Sequence, residues 1–412
     1  MIIPPPLPMF ASHQLASLFA VFVVLCNQSL GQDWFRWRGP NLDGIAQSEK
    51  WSGELPKSDS KIRWRASVGI GFSSFVCHDG LVITMGHQGD DSVVTALDQE
   101  SGKTTWQFKF PAPLDDRDFE GGPTSTPTID GDNVYVFSRM GELFCLTLKS
   151  GEQIWKTSLA DRAQVRLPGW GCSAAPLVLG DKLILNLGEA GMAVNKQTGE
   201  LIWQSDDREC GYASPVPIPN SDPAAVIIAS GKTYVGVEVE TGKELWAVRW
   251  LTSFNCNAAD PIVNNNQMFL SSGYNRGAGL FDLSSEKPDA IWKNKEMKNQ
   301  IHGSILYQGK LYGIDGDMES GGSLKCLDWA TGEVEWSTDD LRPSGLSMVN
   351  NQLLVLTEEG VLITAPATPD GWQPISEMNV LEGKCWTSPV FSNDQIYCRT
   401  IHGEVVCVDC RE

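Results

Sequence analysis

Apolar and polar residues alternate along most of this chain in short runs joined by turns, the period-two pattern of half-buried strands. Thr128-Ile129-Asp130-Gly131-Asp132-Asn133-Val134-Tyr135-Val136 is typical and predicts strand, tight turn, strand. Residues 177–185 around Gly180-Asp181, 305–312 around Gln308-Gly309 and 390–397 around Asn393-Asp394 repeat it. A second recurring unit follows each of these. Its clearest copy is Cys326-Leu327-Asp328-Trp329-Ala330-Thr331-Gly332-Glu333-Val334-Glu335-Trp336, a strand, a turn and a strand carrying one tryptophan. Glycine supplies the positive φ of the turn, and Asp or Thr bonds back to its backbone. The tryptophan gives each unit a large apolar plug.

Signature tryptophans fall at 64, 106, 155, 203, 246, 292, 336 and 372. A repeat of this length, with four short strands and no helical periodicity, predicts the blade of a propeller. Trp64 lies on a strand with no earlier strands of its own, and the last unit stops one strand short. The N-terminal strand is therefore expected to pair with the strand around Cys407 and close the ring. The predicted fold is all-β: an eight-bladed propeller with four antiparallel strands per blade.

Composition refines this picture. A net charge of −19 over 412 residues argues against a nucleic-acid partner. Residues 15–26 form an apolar run too short to span a bilayer, and Ser29-Leu30-Gly31 resembles a signal-peptidase site. The expected organisation is a signal peptide at 1–31, an irregular leader at 32–60 and the propeller at 61–412. A retained anchor is the alternative at the N-terminus. No other segment resembles a membrane span, and a monomer exported to the periplasm or cell envelope is expected. The leader sequence Trp34-Phe35-Arg36-Trp37-Arg38-Gly39-Pro40-Asn41 carries enough aromatic surface to pack against the body. Cys145, Cys326 and Cys407 occupy equivalent strand positions and read as small buried hydrophobes. Cys398 and Cys407 flank the His402-Gly403 turn and are the expected disulfide if one forms.

These features resemble the pyrroloquinoline-quinone-like (PQQ-like) propeller repeat family. The resemblance rests on the Leu-Asp, Thr-Gly-Lys/Glu, Trp signature and on inner-strand Ser214-Pro215 and Ser388-Pro389, altered to Ala175-Pro176 and Asp260-Pro261. It implies either a cofactor-free scaffold like the outer-membrane assembly propellers or a quinoprotein dehydrogenase. The dehydrogenases carry two adjacent cysteines beside the quinone, and no two cysteines here are adjacent.

Strand alternation puts short, stereotyped turns on one face of the ring and the middle hairpins and blade links on the other. The second face carries the unusual residues, and the candidate ligand-binding set at the channel mouth is Arg166, Trp170, Tyr274, Arg276, His302, Trp386 and Arg399. The three arginines could converge on an acidic group or pair with neighbouring carboxylates. The Asp115-Asp116-Arg117-Asp118 run is read as a solvated link. Asp315-Gly316-Asp317-Met318-Glu319 starts like a calcium loop, but Cys326 stands where the twelfth-position Glu belongs. No catalytic or metal residue is assigned. The expected function is an exported, non-catalytic propeller that binds an envelope protein or surface ligand and carries no cofactor. The alternative is a quinone- or metal-dependent oxidoreductase using PQQ and calcium.

Overall fold

The computed structural model describes residues 1–2, 33–57, 61–317 and 321–411. The expected signal segment, its cleavage site, and Met318 and Glu319 lie outside the described residues.

Eight antiparallel sheets follow one another in chain order, and each is a blade. Blades 1 to 6 span residues 76–111, 128–158, 177–204, 216–249, 262–294 and 305–337. Blade 7 spans 343–379, and blade 8 combines 390–409 with Ile62–Ser67. Ring closure occurs as the repeat arithmetic predicts. Ile62–Ser67 pairs antiparallel with Glu404–Asp409, with Trp64 opposite Cys407.

A single device joins the blades. The tryptophan of one outer strand lies on the turn glycine of the next blade. A Cβ on Gly102, Gly151, Gly199, Gly242 or Gly332 would come within 2.8 Å of the ring of Trp64, Trp106, Trp155, Trp203 or Trp292 respectively, so only glycine fits. The indole N–H then donates to a carbonyl beyond the seam: Trp64 to Gln99, Trp106 to Leu148, Trp203 to Val239 and Trp292 to Trp329. The closing seam between blades 8 and 1 uses the same contact as the ordinary ones. Blade 7 departs from the pattern. Its outer strand is Ser376–Asn379, and Met378 is the buried plug there. Trp372, expected in that role, precedes the strand and packs against Trp336 instead.

Within blades 2, 6 and 8 the equivalent cysteines sit between a tyrosine and a tryptophan on the flanking strands. The rows are Tyr135-Cys145-Trp155, Tyr312-Cys326-Trp336 and Tyr397-Cys407-Trp64. A small middle residue lets the two rings approach to centroid distances of 6.1, 6.1 and 5.9 Å. The expected Cys398–Cys407 disulfide is not formed. Cys398 faces Val406 and Cys407 faces Tyr397 in register, which puts the two thiols on opposite faces of the sheet. All ten described cysteines are free.

The leader enters the ring's bore. Trp34 pairs with Cys77 on the inner strand of blade 1, and Phe35 accepts from Ile129 on that of blade 2. Trp37 and Arg38 then reach Asp260 before blade 5 and Ser304 before blade 6. Ile45–Ala46 finally adds a fifth, parallel strand to the inner edge of blade 7. Blades 2 and 6 are opposite in a ring of eight, so a few residues of leader cross the axis. They cover inner strand edges that would otherwise face an open channel. Residues 48–57 continue outward across blades 7 and 8, with Trp51 donating to Gln352 and lying edge-on to Phe391.

Candidate functional site: an aromatic bowl in the channel mouth

Because the leader blocks the bore, the channel is a bowl rather than a pore. Its cavity measures ≈ 230 Å³, with Trp37 among its lining residues. The wall is built from one repeated position. Thr126, Ala175, Ser214 and Asp260 all line the cavity, and each immediately precedes a proline that leads into an inner strand. Proline is tolerated there because the inner strand is a sheet edge that donates to no neighbour on that side. Above this ring, the links and middle hairpins bring in Phe72, Phe119, Trp170, Tyr212, Tyr274 and Trp386.

Asp260 is the buried charge of the bowl. Its carboxylate accepts from Trp37 Nε1 at 2.6 Å and from the Ser214 backbone N–H at 2.7 Å. Burial pushes its pKa up, and the Arg38 guanidinium behind it works in the other direction. Asp118 is the second carboxylate; it accepts from Trp170 Nε1 at 3.0 Å at the exposed mouth. Among the described residues, the lining includes no lysine or arginine. His302 is almost wholly buried, and desolvation lowers its pKa to about 4, so the imidazole is neutral at pH 7. Its Nδ1 lies 3.4 Å from Ser388 Oγ, and the ring also interacts with the Ser344 backbone. Thr124 Oγ1 is a buried, unpartnered oxygen on a lining residue. Cys256 also lines the bowl as a thiol whose pKa burial pushes up to about 12.

The rim continues the aromatic surface. Trp170 lies 5.6 Å from Tyr212 and 6.0 Å from Phe254, and Phe254 lies 5.5 Å from Tyr274. Phe254 is 68% exposed and adopts φ 58°, a left-handed conformation that is costly for a bulky residue. Leu251 beside it is exposed too.

Of the expected site residues, Trp170, Tyr274, His302 and Trp386 meet in the bowl. The three arginines neither converge there nor pair with carboxylates. Arg166 is exposed, and its backbone N–H donates to Asp207 O. Arg276 stacks its guanidinium 3.7 Å from the Trp250 ring centroid. Arg399 is fully buried and donates to the carbonyls of Ser73, Met85 and Gly69 and to Thr84 Oγ1. It clasps blade 8 to blade 1, and desolvation lowers its pKa to about 9. The acidic run after blade 1 is more than a solvated link. Asp115 holds the buried Arg139, which also donates to Leu114 O and Trp170 O and so fixes the wall above. Asp315 is held by Lys298 and Lys325, leaving it a poor calcium ligand.

Sequence reasoning missed Trp37, Phe72, Phe119, Tyr212 and Asp260. Asp260 was the legible one, since it replaces serine or alanine at a repeat-equivalent position before proline.

The sequence profile described as "Outer membrane protein assembly factor BamB" matches residues 90–338. A Yersinia pestis protein described as outer membrane protein assembly factor BamB is 23% identical over 383 residues, covering 85% of this chain and 90% of that protein. The crystal structure of BamB from Moraxella catarrhalis superposes with a TM-score of 0.61 at 18% identity, covering 84% of this chain and 99% of that one. A quinohemoprotein alcohol dehydrogenase from Comamonas testosteroni superposes with a TM-score of 0.68 at 14% identity, covering 91% of this chain and 80% of that one. At such identities the structural matches speak for the fold alone. The profile, which spans more than half of the sequence, places the chain in the outer membrane protein assembly factor BamB family of PQQ-like propellers.

Proposed function

We propose that this protein is an exported, non-catalytic propeller that acts as a binding scaffold in the cell envelope, with a protein partner of the kind its relatives' descriptions imply, one concerned with outer membrane assembly. The observation that carries this reading is the mouth of the bowl. Strained, exposed Phe254 and exposed Leu251 extend an aromatic wall outward to a rim, the arrangement of an anchor surface rather than of a closed reaction chamber. The partner contact is assigned to this rim and the loops beside it.

The competing reading is a PQQ- and calcium-dependent oxidoreductase, favoured by the likeness to the dehydrogenase fold. PQQ is a tricarboxylate, and the lining offers it Asp118 and Asp260 with no lysine or arginine. Both carboxylates already accept from indole N–H groups, which suits calcium poorly. The residues present do not fit that pair.

The test is purification from the envelope fraction after growth with added quinone and calcium. Wild-type protein should carry no quinone by absorbance and mass spectrometry. It should also retain an outer-membrane assembly component that Phe254→Asp loses. Stoichiometric quinone, or recovery of the protein only from the cytoplasm, would sink the proposal.

A further inference from the structure

Aromatic faces and two carboxylates, with Lys384 stacked on Trp386 and Arg38 behind Asp260 both outside the described lining, make an environment that selects by charge. We infer that the bowl binds a protonated alkylamine, its ammonium group held against the aromatic wall and the carboxylates of Asp118 and Asp260. This rests on the bowl being the binding site and adds the chemical class of what enters it.

Three observations support the assignment. Ring faces carry partial negative charge and attract a cation within about 6 Å of their centroids, most strongly when water is excluded. Trp37 at the floor and Trp170, Tyr212 and Tyr274 on the wall provide such faces in one cavity. Second, His302 lines the cavity as a buried, neutral imidazole and so adds no positive charge to it. Third, the chain carries −19 overall, so the approach of a cation is favoured from a distance. Arg38 behind Asp260 offsets part of that carboxylate's charge, which leaves Asp118 at the mouth as the more accessible counter-ion.

Two sources present this chemistry: a free polyamine, or a lysine side chain on a partner's loop. Tryptophan fluorescence and calorimetric titration of the purified exported chain separate them. The probes are putrescine, N,N′-diacetylputrescine, a capped lysine peptide, its acetyl-lysine counterpart, and maltotriose as a neutral ring. Saturable binding of putrescine, of the lysine peptide or of both is expected, with at least a tenfold loss on acetylation. Asp118→Asn keeps an acceptor for the Trp170 indole but removes the charge, and Tyr274→Leu removes one face. Each should weaken binding about tenfold at an unchanged melting temperature. Putrescine alone binding assigns the free amine; the peptide alone binding assigns a partner's lysine. Equal binding of acetylated and free amine, no saturation with either cation at millimolar concentration, or maltotriose as the sole binder would each overturn the inference. The titration uses isolated protein, so its failure leaves the envelope scaffold role to stand or fall on its own test.

Discussion

Two buried side chains show how single residues set the properties of this ring. His302 is held neutral by burial, with a folded pKa of about 4 against an ordinary value near 6.5. Between those values the unfolded chain takes up a proton that the folded chain refuses. This contribution to stability is therefore complete above pH 6.5 and falls away as pH drops towards 4. The difference corresponds to about 3 kcal/mol. Urea unfolding at pH 7 and pH 4.5 should show wild type losing about 2 kcal/mol more than His302→Gln; equal losses would mean the imidazole is not buried neutral. Arg399 presents the opposite case, a buried cation with carbonyl partners and no carboxylate. Arg399→Met should leave those carbonyls unsatisfied and cost about 3 kcal/mol or more, read as a lower denaturant midpoint. A change in ligand affinity without a change in stability would return Arg399 to the channel mouth.

Among the elements, the legible parts are those whose geometry is local. The tryptophan strand and its glycine turn lie within about ten residues of each other, so pattern alone finds them. Registers that depend on loop detail are not local in this sense. The last hairpin centres on His402, half a residue from the point midway between Cys398 and Cys407. That half-residue shift moves the two cysteines from facing each other to opposite faces. Blade 7 has a longer turn through Thr368, Pro369 and Pro374, and its strand starts after Trp372 for that reason. The leader has no repeat to betray it, so its place in the bore, and with it Trp37 in the site, was invisible to periodicity. Thiol chemistry tests the register directly. A chain cleaved before Gln32, as the export proposal has it, should show ten reactive thiols under denaturing, non-reducing conditions. In the native state those of Cys145, Cys326 and Cys407 should label slowly, because burial raises their pKa values to about 11, 11 and 12. Eight thiols in the denatured count would restore a bridge.

At the scale of the whole molecule, two segments near the N-terminus hold the ring together. Residues 62–67 complete blade 8, and residues 33–46 fill the bore. An ion network of Arg63, Arg411, Asp409 and Glu100 decorates the closing seam, though half-exposed pairs of this kind contribute little. The burial of Trp64 matters more, since truncating a large buried aromatic costs roughly 3–5 kcal/mol. Deleting residues 62–67, deleting 33–46 or ending the chain after Asp394 should each lower the melting temperature of the entire domain in one transition. Shortening the exposed turn at 284–287 should not. Separate transitions for blades near and far from the seam would show that the ring does not unfold as a unit.

The leader in the bore also fixes an order of events. The stretch that follows it, residues 48–53, finds its partners at Asn350, Gln352, Thr364 and Asp394, 301 to 346 residues further along the chain. A polypeptide delivered from its N-terminus therefore completes these contacts only when almost the last blade has emerged, whereas Trp34 and Phe35 can pair with Cys77 and Ile129 as soon as blades 1 and 2 form. Contacts of such high sequence separation form late and slowly. While they are missing, Trp51 and its neighbours are an exposed segment that an escorting chaperone can hold. In this ring, maturation is a matter of timing: a stretch that arrives early is finished last.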